Sequence, residues 1–195
     1  MLTLSAFYLA CVLFVGVGAA VAQSVDVSST TRLNSVMAFM RARDPKAVPD
    51  LAARFAVEPV ASIRAWIVRA VSRLDAKGGL ALLESGLQDQ NPEVRIAAAE
   101  ALGKLGGAEA AADLAATLGT EISPGVRASI AFWLGTFKDA VSAAALGQVL
   151  ASDPDSNVRV QAARSLKQQG TRAARQALKA VKDDRDERVR GIADE

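Results

Sequence analysis

The sequence predicts an all-α protein: a right-handed α-solenoid of about five helix pairs, preceded by an N-terminal hydrophobic helix. Three observations predict this class. Apolar residues make up 51% of the chain and aromatic residues only 5%, so the apolar content is mostly alanine, leucine and valine, which favour helices. A short motif recurs at a nearly constant interval, as in repeat proteins. No segment shows the alternation of apolar and polar residues that indicates a β-strand.

Residues 1–22 carry no charged side chain and are almost continuously apolar from Leu2 to Ala22. The run ends in Ala20-Val21-Ala22, small residues that a signal peptidase could cleave after. An apolar run of about this length is also long enough to span a bilayer. Two interpretations follow, a signal peptide and a membrane anchor. Either one makes the protein exported (periplasmic or extracellular) or membrane-anchored through residues 2–22.

Residues 23–31 are polar and rich in serine and threonine, which indicates a linker, and residues 32–195 form the predicted repeat domain. Within this domain an Ile/Val-Arg pair recurs at almost equal steps, with an acidic residue six positions before each arginine. The arginines are Arg64, Arg95, Arg127, Arg159 and Arg190, and the acidic residues are Glu58, Asp89, Glu121, Asp153 and Asp184. The regular spacing predicts one structural unit per copy.

Each unit is predicted to contain two helices. In one copy Val94, Ala97, Ala98 and Leu102 fall on one face at helical spacing, after the N-cap and first-turn pair Asn91-Pro92. A further helix near residues 31–42 opens the array. The predicted units span about residues 46–75, 77–106, 108–138, 139–170 and 171–195. A single pair is too small to bury its apolar face, so stability is expected to come from stacking on neighbouring units.

The segment NPEVRIAAAEALGKLG, residues 91–106, resembles the HEAT-like repeats named after phycobilisome lyases. The resemblance covers about residues 45–195 and implies the fold more strongly than a function. In HEAT repeats the acid ends the turn, the arginine starts the second helix, and the two form a ladder between neighbouring units. The resemblance therefore implies such a ladder for the five acid and arginine pairs. A guanidinium fork is well suited to tie adjacent turns together in this way.

Some proteins built from these repeats are enzymes, including bilin lyases and a di-iron hydroxylase whose ligands are His-Glu pairs. This chain has no histidine, which excludes that ligand set and a histidine base for a serine nucleophile. We therefore expect no enzymatic activity, no metal and no cofactor. A bilin-lyase-like or other small-ligand-binding HEAT-like enzyme is the alternative.

Nucleic acid is not an expected partner. The formal net charge is only +2, and Trp66 and Trp133 lie on the predicted buried stripe. In the last repeat basic and acidic residues alternate, a pattern more typical of a solvated face than of a phosphate-binding track.

The remaining hypothesis is protein binding on the concave side, which the second helix of each pair should line. Its outward positions are predicted to be Arg69, Arg73, Ile96, Glu100, Lys104, Phe132, Thr136, Val160, Arg164 and Gln168. An apolar strip of Val68, Ala99, Ala131 and Ala163 is expected between them. An exposed apolar strip with charged residues around it favours a protein partner, in or at the membrane. The expected role is a scaffold, assembly factor or accessory subunit of an envelope or membrane complex. The competing interpretation is that Phe132 and Ile96 only contact neighbouring helices.

Overall fold

The structure, a computed structural model, describes residues 29–194. The predicted signal peptide or anchor over residues 1–22, the N-terminal hydrophobic helix with it, and residues 23–28 of the predicted linker lie outside this part of the chain. Among residues 29–194, no helix has both the length and the apolar character needed to cross a membrane.

The described residues form helices and connecting turns and include no β-strand, which confirms the all-α class. Helix α1 covers residues 29–42, and a 3-10 turn follows at Pro45–Ala47. The other helices are α2 (Val48–Val57), α3 (Ala61–Asp75), α4 (Leu80–Leu87), α5 (Pro92–Leu105), α6 (Gly107–Thr120), α7 (Pro124–Leu134), α8 (Ala140–Ser152), α9 (Ser156–Gln169), α10 (Arg172–Lys179) and α11 (Glu187–Asp194). Residues 29 and 30, which the sequence analysis assigned only to the linker, are helical.

The helices form pairs that stack into a solenoid. Each even-numbered helix from α2 to α10 is the first helix of a pair, and the odd-numbered helix after it is the second. The second helices α3, α5, α7 and α9 pack side by side in one row, while the first helices α6, α8 and α10 pack in another. The predicted helix pairs therefore correspond to observed ones, and the helix ends differ from prediction by a few residues.

Short polar side chains and glycines determine where several helices begin and end. Asn91 accepts a hydrogen bond from the backbone amide of Glu93 at the start of α5, and Thr171 accepts one from Ala174 at the start of α10. Gly106 and Gly170 follow α5 and α9 with φ of 73° and 61°, a region that glycine adopts without steric cost.

The abundance of alanine reflects close packing of α5 on several sides at once. Ala97, Ala98, Ala99 and Ala101 are each at most 1% exposed, because α5 contacts α3, α4, α6 and α7. The approach of α4 is so close that a Cβ on Gly86 would lie 3.0 Å from the Cβ of Ala98. Small side chains are therefore required wherever one helix packs between two others.

Candidate functional site

A buried row of arginine–carboxylate pairs joins consecutive units. The guanidinium of Arg95, at the start of α5, donates from Nε and Nη2 to the two carboxylate oxygens of Glu121 in the next unit, at 2.7 and 2.8 Å. Its Nη1 donates to the backbone carbonyls of Asp89 and Gln90 at 2.8 and 3.0 Å. One side chain thus donates hydrogen bonds to carbonyl groups in the turn of its own unit and to the carboxylate of the next unit, and so links the two turns.

The same arrangement recurs along the chain, and we call it the ladder. Its other internal pairs, with Nε–oxygen distances of 2.7 to 3.0 Å, are Arg64–Asp89, Arg127–Asp153 and Arg159–Asp184. Each acid also accepts a hydrogen bond from the backbone amide two positions further on, as Glu121 does from Ser123 at 2.7 Å. The acidic side chains of the four internal pairs are between 3 and 9% exposed, so water contributes little to their solvation.

Hydrogen bonds within the ladder stabilise the charged form of Asp89 and of Glu121. Hydrogen bonds from Arg64 lower the pKa of Asp89 below its ordinary value of 3.8. Burial opposes the ionisation of Glu121, but hydrogen bonds from Arg95 and the Ser123 amide outweigh it, so the pKa of Glu121 is lowered from 4.5. The charged pairs are therefore part of the folded state at neutral pH.

The ladder extends one unit further towards the N-terminus than the sequence analysis found. Arg32 in α1 donates to both carboxylate oxygens of Glu58, at 2.9 and 3.2 Å. Arg32 precedes Arg64 by one repeat period, and Asp26 lies six positions before it, so the period was present in the sequence. Thr31 precedes this arginine in place of isoleucine or valine, so Arg32 does not match the recurring Ile/Val-Arg pair. At the other end, Arg190 donates to the carbonyl of Asp184 at 2.7 Å.

The predicted partner-binding residues lie on the odd-numbered helices, except Thr136, which lies in the turn after α7. We call the exposed surface of α1, α3, α5, α7 and α9, with the turn after α7, the second-helix face. Six of the predicted residues are exposed there: Arg73, Lys104, Phe132, Thr136, Arg164 and Gln168. Three more are half-buried: Arg69, Ile96 and Glu100. Their role in binding stays a prediction.

Two parts of the predicted surface are corrected. Val160 is only 4% exposed and belongs to the core. The expected apolar strip is wholly buried, since Val68, Ala99, Ala131 and Ala163 are each 0% exposed. The reason is that consecutive second helices pack against one another, and this row of small residues lies in the contacts between them. The exposed apolar part of the face therefore depends mainly on aromatic side chains.

The two tryptophans are half-buried and pack against the core, and each has a cation over its ring. The guanidinium carbon of Arg69 lies 5.4 Å from the ring centre of Trp66. Lys104 Nζ lies 5.9 Å from the ring centre of Trp133.

Phe132 contacts Trp133 edge to face, with ring centres 5.1 Å apart and planes at 84°, and it remains 45% exposed. The face thus presents an aromatic surface bordered by basic side chains.

Lys104 also forms an ion pair with Glu100, so part of the charge on this face is compensated. Within residues 29–194, no group of three or more histidine, cysteine, aspartate or glutamate side chains is arranged to hold a metal ion.

The family model for HEAT repeats matches residues 58–131 and 120–195. This chain belongs to the HEAT repeat family. Among curated proteins, none matches the chain in sequence. The ladder and the paired helices are thus the framework of HEAT repeats.

The solved structure of human deoxyhypusine hydroxylase in complex with glycerol has the same fold, with a TM-score of 0.54 and 24% sequence identity. The match covers 83% of this chain and 65% of the human chain, so the chain corresponds to just under two thirds of that enzyme's length. This finding corrects the prediction of no enzymatic activity, which rested on the absence of histidine and of known catalytic motifs. An enzyme has this architecture, so the fold does not exclude enzymatic activity.

Proposed function

We propose that this chain is a right-handed solenoid that binds a partner protein on a concave second-helix face, as a scaffold, assembly factor or accessory subunit. The observation that carries the proposal is the exposed aromatic ring of Phe132 in the row of second helices. A large aromatic side chain that is 45% exposed and held rigidly against Trp133 loses little conformational entropy when a partner covers it.

The surroundings of Phe132 support protein binding. Arg164 is exposed at the equivalent position of the next unit, and Lys104 lies over the ring adjacent to Phe132. Aromatic and arginine side chains are enriched where protein interfaces contribute most of their binding energy. Because the supporting helices pack into one continuous row, these side chains are held in a fixed arrangement before binding.

We further propose that the repeats are of the phycobilisome-lyase-like type, on the basis of residues 91–106. We also propose a location at the cell envelope, on the basis of the apolar residues 1–22.

A double variant tests the proposal. The change is Phe132→Ala with Arg164→Ala in the tagged full-length protein, purified from its native membranes in mild detergent beside the unchanged protein. We expect the stoichiometric partner to be reduced at least about tenfold, which corresponds to about 1.4 kcal/mol of binding free energy. The melting temperature is expected to fall only slightly, since Arg164 is exposed and Phe132 loses only a partly exposed contact with Trp133.

The matched control is Val141→Ala with Arg172→Ala, which removes an exposed apolar and an exposed basic side chain from first helices. This control is expected to retain the partner. Equal recovery of the partner with both double variants would refute the proposed face, and unfolding of the Phe132 variant would place its side chains in the core.

A further inference from the structure

Helix α1 is in register with the second helices and extends their face by one unit. Met37 and Arg41 lie one repeat period before Arg69 and Arg73. Residues from the C-terminal halves of α1 and α3 line an open cleft of about 610 Å³. Its lining is three arginines and three apolar side chains: Arg41, Arg43, Arg73, Met37, Met40 and Leu74.

The arginines of this cleft are available to a ligand. Arg41, Arg43 and Arg73 are exposed, and none of their guanidinium groups forms an ion pair or hydrogen bond within residues 29–194. The carboxylates nearest to these arginines in sequence accept hydrogen bonds from backbone amides instead. Asp44 accepts from the amide of Lys46, and Asp75 accepts from the amide of Gly78, both at 2.9 Å. Three like charges around one cleft repel one another, and an anionic ligand would relieve that repulsion.

The backbone of Arg43 adds an independent observation. Its φ of 52° makes it the one non-glycine residue with positive φ in the described part of the chain. The conformation ends α1 in the place where glycine is usually found, and an arginine there is held at a cost in conformational energy. The backbone conformation of the turn after α1 therefore does not explain why an arginine occupies position 43.

The composition of the cleft identifies the occupant by its chemistry. Guanidinium groups bind carboxylates through paired hydrogen bonds, and methionine side chains adapt to apolar groups of different shapes. We infer that this cleft binds a protein segment in which aspartate or glutamate residues flank a large apolar side chain. The inference rests on the proposed function, and it assigns the acidic part of the partner to the N-terminal end of the second-helix face.

Random peptides displayed on phage and selected on the full-length protein test this inference. The selected peptides are expected to combine acidic residues with leucine, methionine or phenylalanine. Replacing Arg41→Glu with Arg73→Glu should weaken their binding at least about tenfold. The control Arg172→Glu with Lys179→Glu makes the same change in net charge on α10 and should leave binding within about twofold.

Arg43→Gly separates binding from folding. Glycine adopts the positive φ of this position without cost, so the melting temperature should stay equal or rise, while the selected peptides should bind less tightly. A purely structural role for Arg43 would leave peptide binding unchanged.

The inference would be overturned if the selected peptides were basic or uncharged. It would also be overturned if selected acidic peptides bound the Arg41→Glu, Arg73→Glu protein as tightly as the unchanged protein. A third result would also overturn it: no peptide is selected, and the unchanged protein binds phosphatidylserine vesicles while the Arg41→Glu, Arg73→Glu protein does not. The cleft would then be a lipid site. The two proposals fail separately. If binding of the partner requires Phe132 but not Arg41 and Arg73, only the inference about the cleft is refuted. If acidic peptides bind in the cleft but binding of the partner does not require Phe132, only the proposed face is refuted.

Discussion

Replacing Arg95 with alanine removes four hydrogen bonds and leaves a buried carboxylate without its cation. The side chain of Glu121 is 3% exposed and that of Arg95 is 11% exposed, so water reaches the pair poorly. After the change Glu121 keeps the hydrogen bond from the Ser123 amide as its remaining strong partner. Removing one member of a buried ion pair costs about 3–5 kcal/mol, and the slight exposure of Arg95 places the expected loss near 3 kcal/mol.

Thermal unfolding followed by far-ultraviolet circular dichroism at neutral pH measures this loss. For a chain of this size each kcal/mol lowers the melting temperature by about 2–4 °C, so the expected decrease is roughly 6–12 °C. Lys104→Ala is the comparison, because Lys104 and Glu100 form an ion pair whose side chains are 56% and 38% exposed, so the carboxylate left behind stays hydrated. Its expected cost is at most about 1 kcal/mol. If Arg95→Ala costs no more than Lys104→Ala, burial of the ladder does not contribute as argued.

Further predictions concern pH and packing. Because Asp89 and Glu121 have pKa values lowered by folding, their contribution to stability is complete above their ordinary values of 3.8 and 4.5 and is lost as the pH falls below them. The free energy of unfolding, measured by urea titration, should therefore be constant from pH 7 to about 5 and decrease below about 4.5; a decrease beginning above pH 6 would contradict this. Gly103→Ala would place a Cβ 2.4 Å from the ring of Trp133, and we expect it to lower stability by about 1–3 kcal/mol. Gly119→Ala, with no atom within 4 Å of the added Cβ, should instead raise stability by about 0.5–1 kcal/mol, and equal effects of the two would refute the packing argument.

The helix pairs could be predicted because each unit repeats a strong local signal. The acid and arginine at fixed spacing, the prolines in the first helical turns and the apolar stripe all indicate the same helix starts. What the spacing could not indicate is which acid each arginine binds. Arg95 contacts the backbone carbonyl of Asp89 in its own unit but the carboxylate of Glu121 in the next, and this choice depends on how the units stack.

The predicted surface was less accurate for a physical reason. Periodicity identifies the most apolar face of a helix, but a helix packed between two others buries a second row as well. Alanine and valine are common both in such contacts and on partly exposed surfaces, so Ala99 and Val160 gave no signal that they are buried. Charged side chains such as Arg164 were placed correctly on the exposed side because burying an unpaired charge there would be costly.

Site-specific photo-crosslinking in living cells tests most directly whether a partner protein covers the second-helix face. The photoreactive residue benzoylphenylalanine would replace Phe132 on α7 in one protein and Val141 on α8 in another, two exposed apolar positions on opposite helix rows that are 45% and 53% exposed. The account predicts one crosslinked protein from position 132 and none from position 141. Crosslinking from position 141 alone, or the same crosslinked proteins from both positions, would contradict it.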